Sequence, residues 1–158
     1  MFVRQAQNTK QDRDLVFDLS NDPIVREASF NTKPIEYEQH CEWYSKTISE
    51  KNTLFFLIFE AEEFVGQIRF NRKTEQSKEC IISLSMTKSF RGRHIAKQFM
   101  ETGIKEMRKF WCNIHSVIAE VKVDNAPSNT LFSRAGFELT STTNTYRLFI
   151  PTSRNELC

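Results

Sequence analysis

The fold is decided by the run Glu79-Cys-Ile-Ile-Ser-Leu-Ser-Met86 and, four residues later, the turn Arg91-Gly-Arg-His-Ile-Ala96. The first run is rich in β-branched and apolar residues and predicts a strand. After the turn, Phe99, Gly103 and Met107 recur every fourth residue, which predicts a helix with one buried face. A helix start presents unpaired backbone N–H groups and a partial positive charge. The sequence therefore predicts a strand–turn–helix unit whose turn binds an anionic group.

The segments on either side of this unit alternate between strand and helix patterns. The strands are predicted at Phe2–Ala6, Thr53–Glu60, Phe64–Asn71, Ser116–Val123 and Thr145–Ile150, with a hairpin turn at Ala61-Glu62-Glu63. The other helices are predicted at Lys10–Leu19, after Pro34, and at Pro127–Ala135, where proline begins the helix and Gly136 ends it. This order predicts an α/β (α+β) domain with a mixed sheet covered by helices.

Length and composition are typical of a single globular domain. A chain of 158 residues with 39% hydrophobic residues can form one domain with its own core. A net charge of +2 with no dense basic run argues against nucleic acid as a partner, and no apolar run reaches membrane-spanning length. The four cysteines lack C-x-x-C spacing, so we expect unpaired thiols, no metal site and a cytoplasmic protein. A homodimer is left open.

A second motif lies downstream, where Asn125 is followed by a short helical run and by Gly136-Phe137. With the turn 91–96, it resembles the GNAT superfamily of N-acetyltransferases, whose phosphate turn reads Q/R-x-x-G-x-G/A and whose later segment reads Asn, a helix, then Gly-Phe. The resemblance implies a mostly antiparallel sheet of about seven strands and four helices, in which two splayed strands, 79–86 and 116–123, form an acetyl-CoA cleft. It also implies direct transfer of acetyl to a primary amine.

The resemblance assigns the donor site residue by residue. The implied contacts are backbone groups of Leu84, Ser85 and Met86, the turn Arg91, Gly92, Arg93, His94, Ile95 and Ala96, and Asn125, Asn129, Phe132 and Arg134 on the later segment. Two residues depart from the family pattern. His94 stands where the family has glycine, which a right-handed helical φ would not require. Phe132 stands where many members carry a tyrosine that protonates the departing thiolate, and phenylalanine cannot donate a proton.

The groups that move protons are left open by the sequence. Glu79 at the start of the cofactor strand and His40, whose side chain titrates near neutral pH, are candidate bases, although an ordered water chain serves equally well. Ser128, Tyr146 or water is a candidate acid. Cys80 is the cysteine within the cofactor strand, and we expect it to pack in the core rather than carry an acetyl group.

The acceptor is expected to bind beside residues 1–52, with donor and C-terminal units at 79–111 and 116–150. This region resembles the GNAT branch that acetylates an amino group on UDP-linked deoxyamino sugars in nonulosonic acid or surface-polysaccharide synthesis. The implied contacts are Asp22, Arg26, Phe30, Trp43, Tyr44, Gln67 and Arg69. Trp43 and Tyr44 are also good core residues. The alternatives are acetylation of protein N-termini, as in ribosomal-protein acetyltransferases, and a degenerate acyl-CoA-binding module.

Overall fold

The computed structural model describes residues 1–140 and 144–150. Its strands are β1 (Phe2–Gln5), β2 (Thr53–Glu60), β3 (Glu63–Asn71), β4 (Glu79–Met86), β5 (Ser116–Glu120), β6 (Glu138–Leu139) and β7 (Thr145–Phe149). Its α-helices are α1 (Lys10–Ser20), α2 (Pro23–Ala28), α3 (Tyr37–Ser49), α4 (Ala96–Phe110) and α5 (Ala126–Arg134), and a 3₁₀ turn covers Lys88–Phe90. The predicted α/β class and the mixed sheet of about seven strands are confirmed.

The strands form one sheet in the order β1-β2-β3-β4-β5-β7-β6. The pair β4–β5 is parallel and the other five pairs are antiparallel. The β2–β3 hairpin turns through two residues, Ala61 and Glu62, because Glu60 pairs with Glu63. Both turn residues have positive φ, 46° and 70°, the geometry that matches the twist of the flanking strands. The predicted hairpin is confirmed without the Asn-Gly pair that usually provides this geometry.

Helices cover the sheet on both faces. The apolar side of α4, with Phe99 and Met107 fully buried, packs with Ile68 of β3 and Val117 of β5 in the larger core. A smaller core lies on the other face, where α1 and α3 cover β2 through Val16, Tyr44, Phe55 and Leu57. The four-residue spacing along α4 explains its position, since it puts every large apolar side chain on one side.

Two buried glycines set how closely these layers approach. A Cβ on Gly103 of α4 would lie 2.5 Å from the Cδ1 atom of Ile68 on β3. A Cβ on Gly66 of β3 would lie 2.2 Å from the carbonyl oxygen of Ser85 and 3.0 Å from the Cα of Met86, both on β4. The end of β4 is therefore positioned by a contact that only glycine permits.

The structure differs from the predicted elements in three places. α2 was not predicted, because Asn21-Asp22-Pro23 was interpreted as the end of a helix, whereas Asp22 caps α2 and Pro23 is its first residue. β5 ends at Glu120 rather than Val123, and the two-residue strand β6 was missed. Five α-helices are thus present among the described residues where four were expected.

The other structural expectations concern thiols, metals and membranes. Cys41 and Cys80 are free, as expected, but Cys112 is disulfide-bonded, so the expectation of unpaired thiols is wrong there; Cys158 lies outside the described residues. Within residues 1–140 and 144–150, no group of three or more His, Cys, Asp or Glu side chains is placed to hold a metal ion. A search of the same residues for a helix long and apolar enough to cross a membrane found none.

Candidate active site

β4 and β5 separate part of the way along their length. They pair only from Glu79 opposite Ser116 to Ile82 opposite Ala119. β4 then continues to Met86, while β5 ends at Glu120. The segment 83–86 therefore pairs with β3 on one side, and none of residues 1–140 and 144–150 pairs with it as a strand on the other. A cavity of about 980 Å³ opens at this splay, and Leu84, Ser85 and Met86 lie on its wall.

The turn before α4 carries two left-handed residues. Gly92 has a φ of 74° and His94 a φ of 59°. His94 therefore does not have the helical φ at which glycine would be unnecessary; this position has the backbone conformation that favours glycine. α4 begins after Ile95 with no side chain capping it, so its first N–H groups remain available to a ligand. Arg91, Gly92, His94 and Ala96 line the cavity, whereas Arg93 and Ile95 do not.

Arg91 is held in place on two sides. Its Nε donates to the Met86 carbonyl at 2.9 Å, and its Nη2 lies 3.0 Å from Oδ1 of Asp22. Burial acts to raise the pKa of Asp22, but hydrogen bonding to Arg91 and to the α2 amides outweighs it, so the pKa lies below its ordinary value. The Arg91 Nη1 is buried without a hydrogen-bond partner among the described residues. Sequence reasoning placed Asp22 with the acceptor and did not foresee this ion pair.

The α5 side of the cavity is built by a helix cap. Asn125 accepts from the Ser128 N–H at 3.2 Å, and both residues line the cavity together with Phe132. Asn129 does not line it: its amide donates to the carbonyls of Lys122 and Val123.

The remaining residues predicted for this side also lie outside the cavity. Asn129 accepts from the Tyr146 hydroxyl at 2.8 Å, and Tyr146 is not on the wall. The Arg134 side chain is exposed, and the guanidinium of Arg93 lies over the ring of Phe90, 5.0 Å from its centroid.

The opposite end of the cavity is formed by α3 and β3. His40 is 1% exposed, and its Nε2 lies 2.9 Å from the carbonyl oxygen of Arg13. Burial lowers the pKa of His40 below its ordinary value. The guanidinium of Arg69 lies 5.3 Å from the Trp43 ring centroid, and Gln67 Nε2 donates to Ser85 Oγ at 3.0 Å. His40, Trp43, Gln67 and Arg69 all line the cavity, and Phe30 is an exposed residue on its edge.

Arg26 lines the cavity, but its donors are already used. Its Nε donates to the Ser20 carbonyl, its Nη1 to the Asn31 carbonyl at 3.0 Å and its Nη2 to Ser29 Oγ at 3.1 Å. The side chain therefore fastens the loop after α2, and the structure does not support the prediction that it waits for a phosphate. Sequence offers no signal for such bonds to main-chain carbonyls.

Two further predicted residues lie away from the cavity. Tyr44 is fully buried and donates its hydroxyl to the Gln7 carbonyl at 2.9 Å, so it is a core residue. Glu79 lies at the paired end of β4, 2.8 Å from the Arg147 Nη1, and is also absent from the cavity wall. Of the three candidate proton-transfer residues, His40 and Ser128 line the cavity and Glu79 does not.

α2 crosses between the two sides of the splay. At its start Asp22 pairs with Arg91 after β4, and near its end the Glu27 carbonyl accepts from Lys122 Nζ, after β5, at 2.7 Å. Ile24, Val25 and Ala28 of α2 line the cavity. The sequence feature that could have predicted α2 is the Asp22-Pro23 pair, since aspartate caps helices and proline is favoured at their first position.

Comparisons with known proteins agree with this geometry. The family model described as "Acetyltransferase (GNAT) domain" matches residues 2–138. None of the curated protein sequences matches the chain significantly.

Solved structures share the fold at low identity. A spermidine N-acetyltransferase from Vibrio cholerae, in complex with CoA and spermine, superposes with a TM-score of 0.80 at 16% identity, covering 96% of this chain and 95% of that one. RimL, a ribosomal L7/L12 α-N-protein acetyltransferase in complex with CoA, gives 0.79 at 18% identity, covering 96% and 94%. A ribosomal-protein-alanine N-acetyltransferase from Brucella melitensis gives 0.75 at 18% identity, covering 95% and 100%. The chain belongs to the GNAT acetyltransferase family and is an enzyme that uses acetyl-CoA to acetylate an amine.

Proposed function

We propose that the donor, acetyl-CoA, binds along the unpaired edge of β4 and at the turn before α4. The free N–H and C=O groups of residues 83–86 offer the partners that an added strand would use, and suit the amides of the pantetheine arm. The uncapped start of α4 and the Arg91 guanidinium offer N–H donors and positive charge for the pyrophosphate. Acetyl-CoA supplies the thioester, and this chain supplies orientation and proton transfer.

The acceptor in this proposal is the 4-amino group of a UDP-linked deoxyamino sugar. The observation that carries it is the charge of the cavity: Arg26, Lys33, Arg69 and Arg91 line it, while Glu120 is its one carboxylate among the described residues. A cationic cavity favours an acceptor that carries phosphate. Since each of the three side-chain nitrogens of Arg26 already has a hydrogen-bond partner in the protein, we assign the diphosphate to Arg69 instead.

Trp43 strengthens this assignment. Trp43 is 37% exposed and its ring lies against the Arg69 guanidinium, so it presents an aromatic surface beside the anion-binding charge. A base or sugar ring stacked there would bring its phosphates toward the cation. The same positive charge would repel spermidine, a polycation after which one of the structurally similar enzymes is named.

Transfer is proposed to be direct, with no acetyl group on the protein. Cys80 is 1% exposed, and burial raises the pKa of its thiol to about 12. It faces the larger core and does not line the cavity. A thiol in this environment stays protonated near neutral pH and is a poor nucleophile.

The second candidate is the α-amine of a protein N-terminus. Phe30, which is 73% exposed, and Ile24, which is 56% exposed, form an apolar edge on which a peptide could lie. RimL and the Brucella enzyme share the fold and act, by name, on ribosomal proteins. The positive charge of the cavity favours the sugar nucleotide over this candidate.

Thiol release from acetyl-CoA separates the candidates. The acceptors are a UDP-linked 4-amino-4,6-dideoxyhexose, spermidine and peptides with free N-termini, assayed in parallel. We expect release with the sugar nucleotide, and we expect Arg69→Gln to reduce kcat/KM for it by about 10- to 100-fold through loss of a charge-assisted contact. Release with peptide or spermidine alone would reject the sugar-nucleotide proposal.

A further inference from the structure

Two hydrogen-bond acceptors on the cavity wall are buried and have no partner among the described residues. They are Nδ1 of His40 on α3 and Oε1 of Gln67 on β3. A buried polar atom without a partner costs free energy, so native proteins retain few of them. At the other end of the same cavity, the unpartnered Nη1 of Arg91 is a donor.

The tautomer of His40 follows from its other ring nitrogen. Nε2 lies 2.9 Å from the Arg13 carbonyl oxygen, which can only accept, so Nε2 carries the proton. In the neutral ring Nδ1 is then left with a lone pair. The lone pair has no bound partner and can receive a hydrogen bond from a ligand.

Gln67 uses one of its two polar side-chain atoms in a hydrogen bond. Its Nε2 donates to Ser85 Oγ at 3.0 Å, on the strand that pairs with β3, which leaves the carbonyl oxygen of the amide unused. Contacts join the two walls: His40 packs against Trp43 at 5.5 Å between ring centroids, and Trp43 contacts Arg69, two residues from Gln67 on the same face of β3.

We propose that His40 Nδ1 and Gln67 Oε1 receive the two N–H groups of the acceptor amine, so that this site selects a neutral primary amine. His40 is the catalytic base: the amine nitrogen forms its bond to the acetyl carbon, the bond from that carbon to sulfur breaks, and the proton lost by nitrogen passes to Nδ1. Gln67 is a positioning residue. The positive charge of Arg69, which lines the same cavity, disfavours a protonated amine, which lacks the lone pair needed for attack.

The inference rests on the proposed function only in taking the acceptor as a primary amine. Its first test needs no acceptor. ¹⁵N NMR of histidine-labelled enzyme reports which ring nitrogen carries the proton, with His40 assigned by the signal missing from His40→Gln. We expect neutral His40 protonated on Nε2 near pH 7.5. A ring protonated on Nδ1, or doubly protonated, would overturn the proposal.

The second test uses matched variants. In His40→Gln the amide can still donate to the Arg13 carbonyl but lacks a basic nitrogen, and we expect kcat to fall by about 10²- to 10⁴-fold, the usual worth of a general base. Folding, followed by thermal unfolding, and the Kd for CoA should be unchanged. If His40→Gln retains kcat within about threefold while His40→Asn, which loses the bond to Arg13, unfolds, the ring is only structural and the proposal fails.

The third test addresses Gln67. Gln67→Met should raise the acceptor KM by about tenfold with little change in kcat, as expected for loss of one buried hydrogen bond. An N-methylated acceptor has one N–H fewer, so the wild-type enzyme should discriminate against it and Gln67→Met should not. Equal discrimination in both enzymes would exclude the contact.

The acceptors are the UDP-linked 4-amino-4,6-dideoxyhexose and a peptide with N-terminal alanine, each with its N-methyl counterpart. Turnover of the peptide alone would end the sugar-nucleotide proposal. The roles of His40 and Gln67 would then be tested with the peptide and its N-methyl counterpart. If neither reacts, a His40 ring protonated on Nδ1, or doubly protonated, would still overturn the proposal for His40.

Discussion

His94 carries backbone strain that a single substitution should relieve. Its φ of 59° costs an L-residue about 1–2 kcal/mol, which glycine avoids. Part of this gain is lost because glycine also gives the unfolded chain more conformational entropy. We expect His94→Gly to raise the free energy of unfolding by about 0.5–1 kcal/mol, measured by urea denaturation. Gly92→Ala is the matched opposite: within the described part of the chain a Cβ there meets nothing within 4 Å, so the expected loss comes from its φ of 74° alone. A destabilised His94→Gly would contradict the left-handed turn.

The buried imidazole of His40 should make stability depend on pH. Its folded pKa lies below that of the unfolded chain, mainly because of burial. The hydrogen bond to the Arg13 carbonyl and the charge of Asp14 act to raise this pKa, and the charge of Arg13 acts to lower it, each by less than burial. The unfolded state therefore binds more protons in this range, and the free energy of unfolding falls as the pH drops below about 6.5. Urea denaturation between about pH 7.5 and pH 5.5 checks this, with His40→Gln as reference. An identical slope in both proteins would exclude His40 as its source.

The ion pair between Asp22 and Arg91 connects α2 to the donor turn. Its charge can be removed without changing the shape of the Asp22 side chain. Asn caps helices as well as Asp, so Asp22→Asn should keep α2 capped and remove only the charge opposite Arg91. We expect CoA to bind several-fold more tightly to Asp22→Asn, because Arg91 is no longer neutralised, and more weakly to Arg91→Ala. Calorimetry measures both Kd values. Opposite signs support the proposed phosphate contact, whereas equal weakening would place Asp22 in a purely structural role.

The elements predicted best are those with a strong internal pattern. β4 and α4 could be located because the apolar spacing changes between them from strand-like to helical. α2 could not, since its six residues include no buried side chain and so carry no periodic signal. The early end of β5 could not be predicted either, because it depends on where β5 stops pairing with β4. The pattern of one segment does not show where its pairing with another segment ends.

The site residues also differ in how well the sequence predicted them. Gly92 and Phe132, at the motif positions, line the cavity. Glu79 and Arg26 satisfied the sequence criteria for a base and a phosphate ligand, but Arg147 and main-chain carbonyls hold them. Residue type shows what a side chain can do, whereas its partners depend on contacts distant in sequence. His40 was chosen for its intrinsic pKa, and only the structure showed which ring nitrogen is free.

At the scale of the whole molecule, the cationic cavity predicts a response to salt. With a net charge of only +2, long-range attraction must come from the cations that line the cavity, with Arg69 at one end and Arg91 at the other. We expect kcat/KM for an anionic acceptor, measured at saturating acetyl-CoA, to fall several-fold between about 0.05 and 0.5 M salt. Arg69→Gln should flatten this dependence. A neutral peptide acceptor is the control, and an equal fall for that peptide would argue against recognition of an acceptor anion.

The four-residue seam between β4 and β5 also affects how firmly the sheet holds together. Five of its six strand pairs are antiparallel, and the sixth is the short parallel pair that joins the four-stranded part to the three-stranded part. A donor molecule bound along residues 83–86 would extend this seam in the way that further strand pairing would. Folding and donor binding are then thermodynamically linked: at a concentration one hundred times its Kd, a ligand that binds only the native state adds about 2.7 kcal/mol to the free energy of unfolding. The substrate would then also act as a structural part of the sheet, and depleting it would leave the enzyme easier to unfold and to proteolyse.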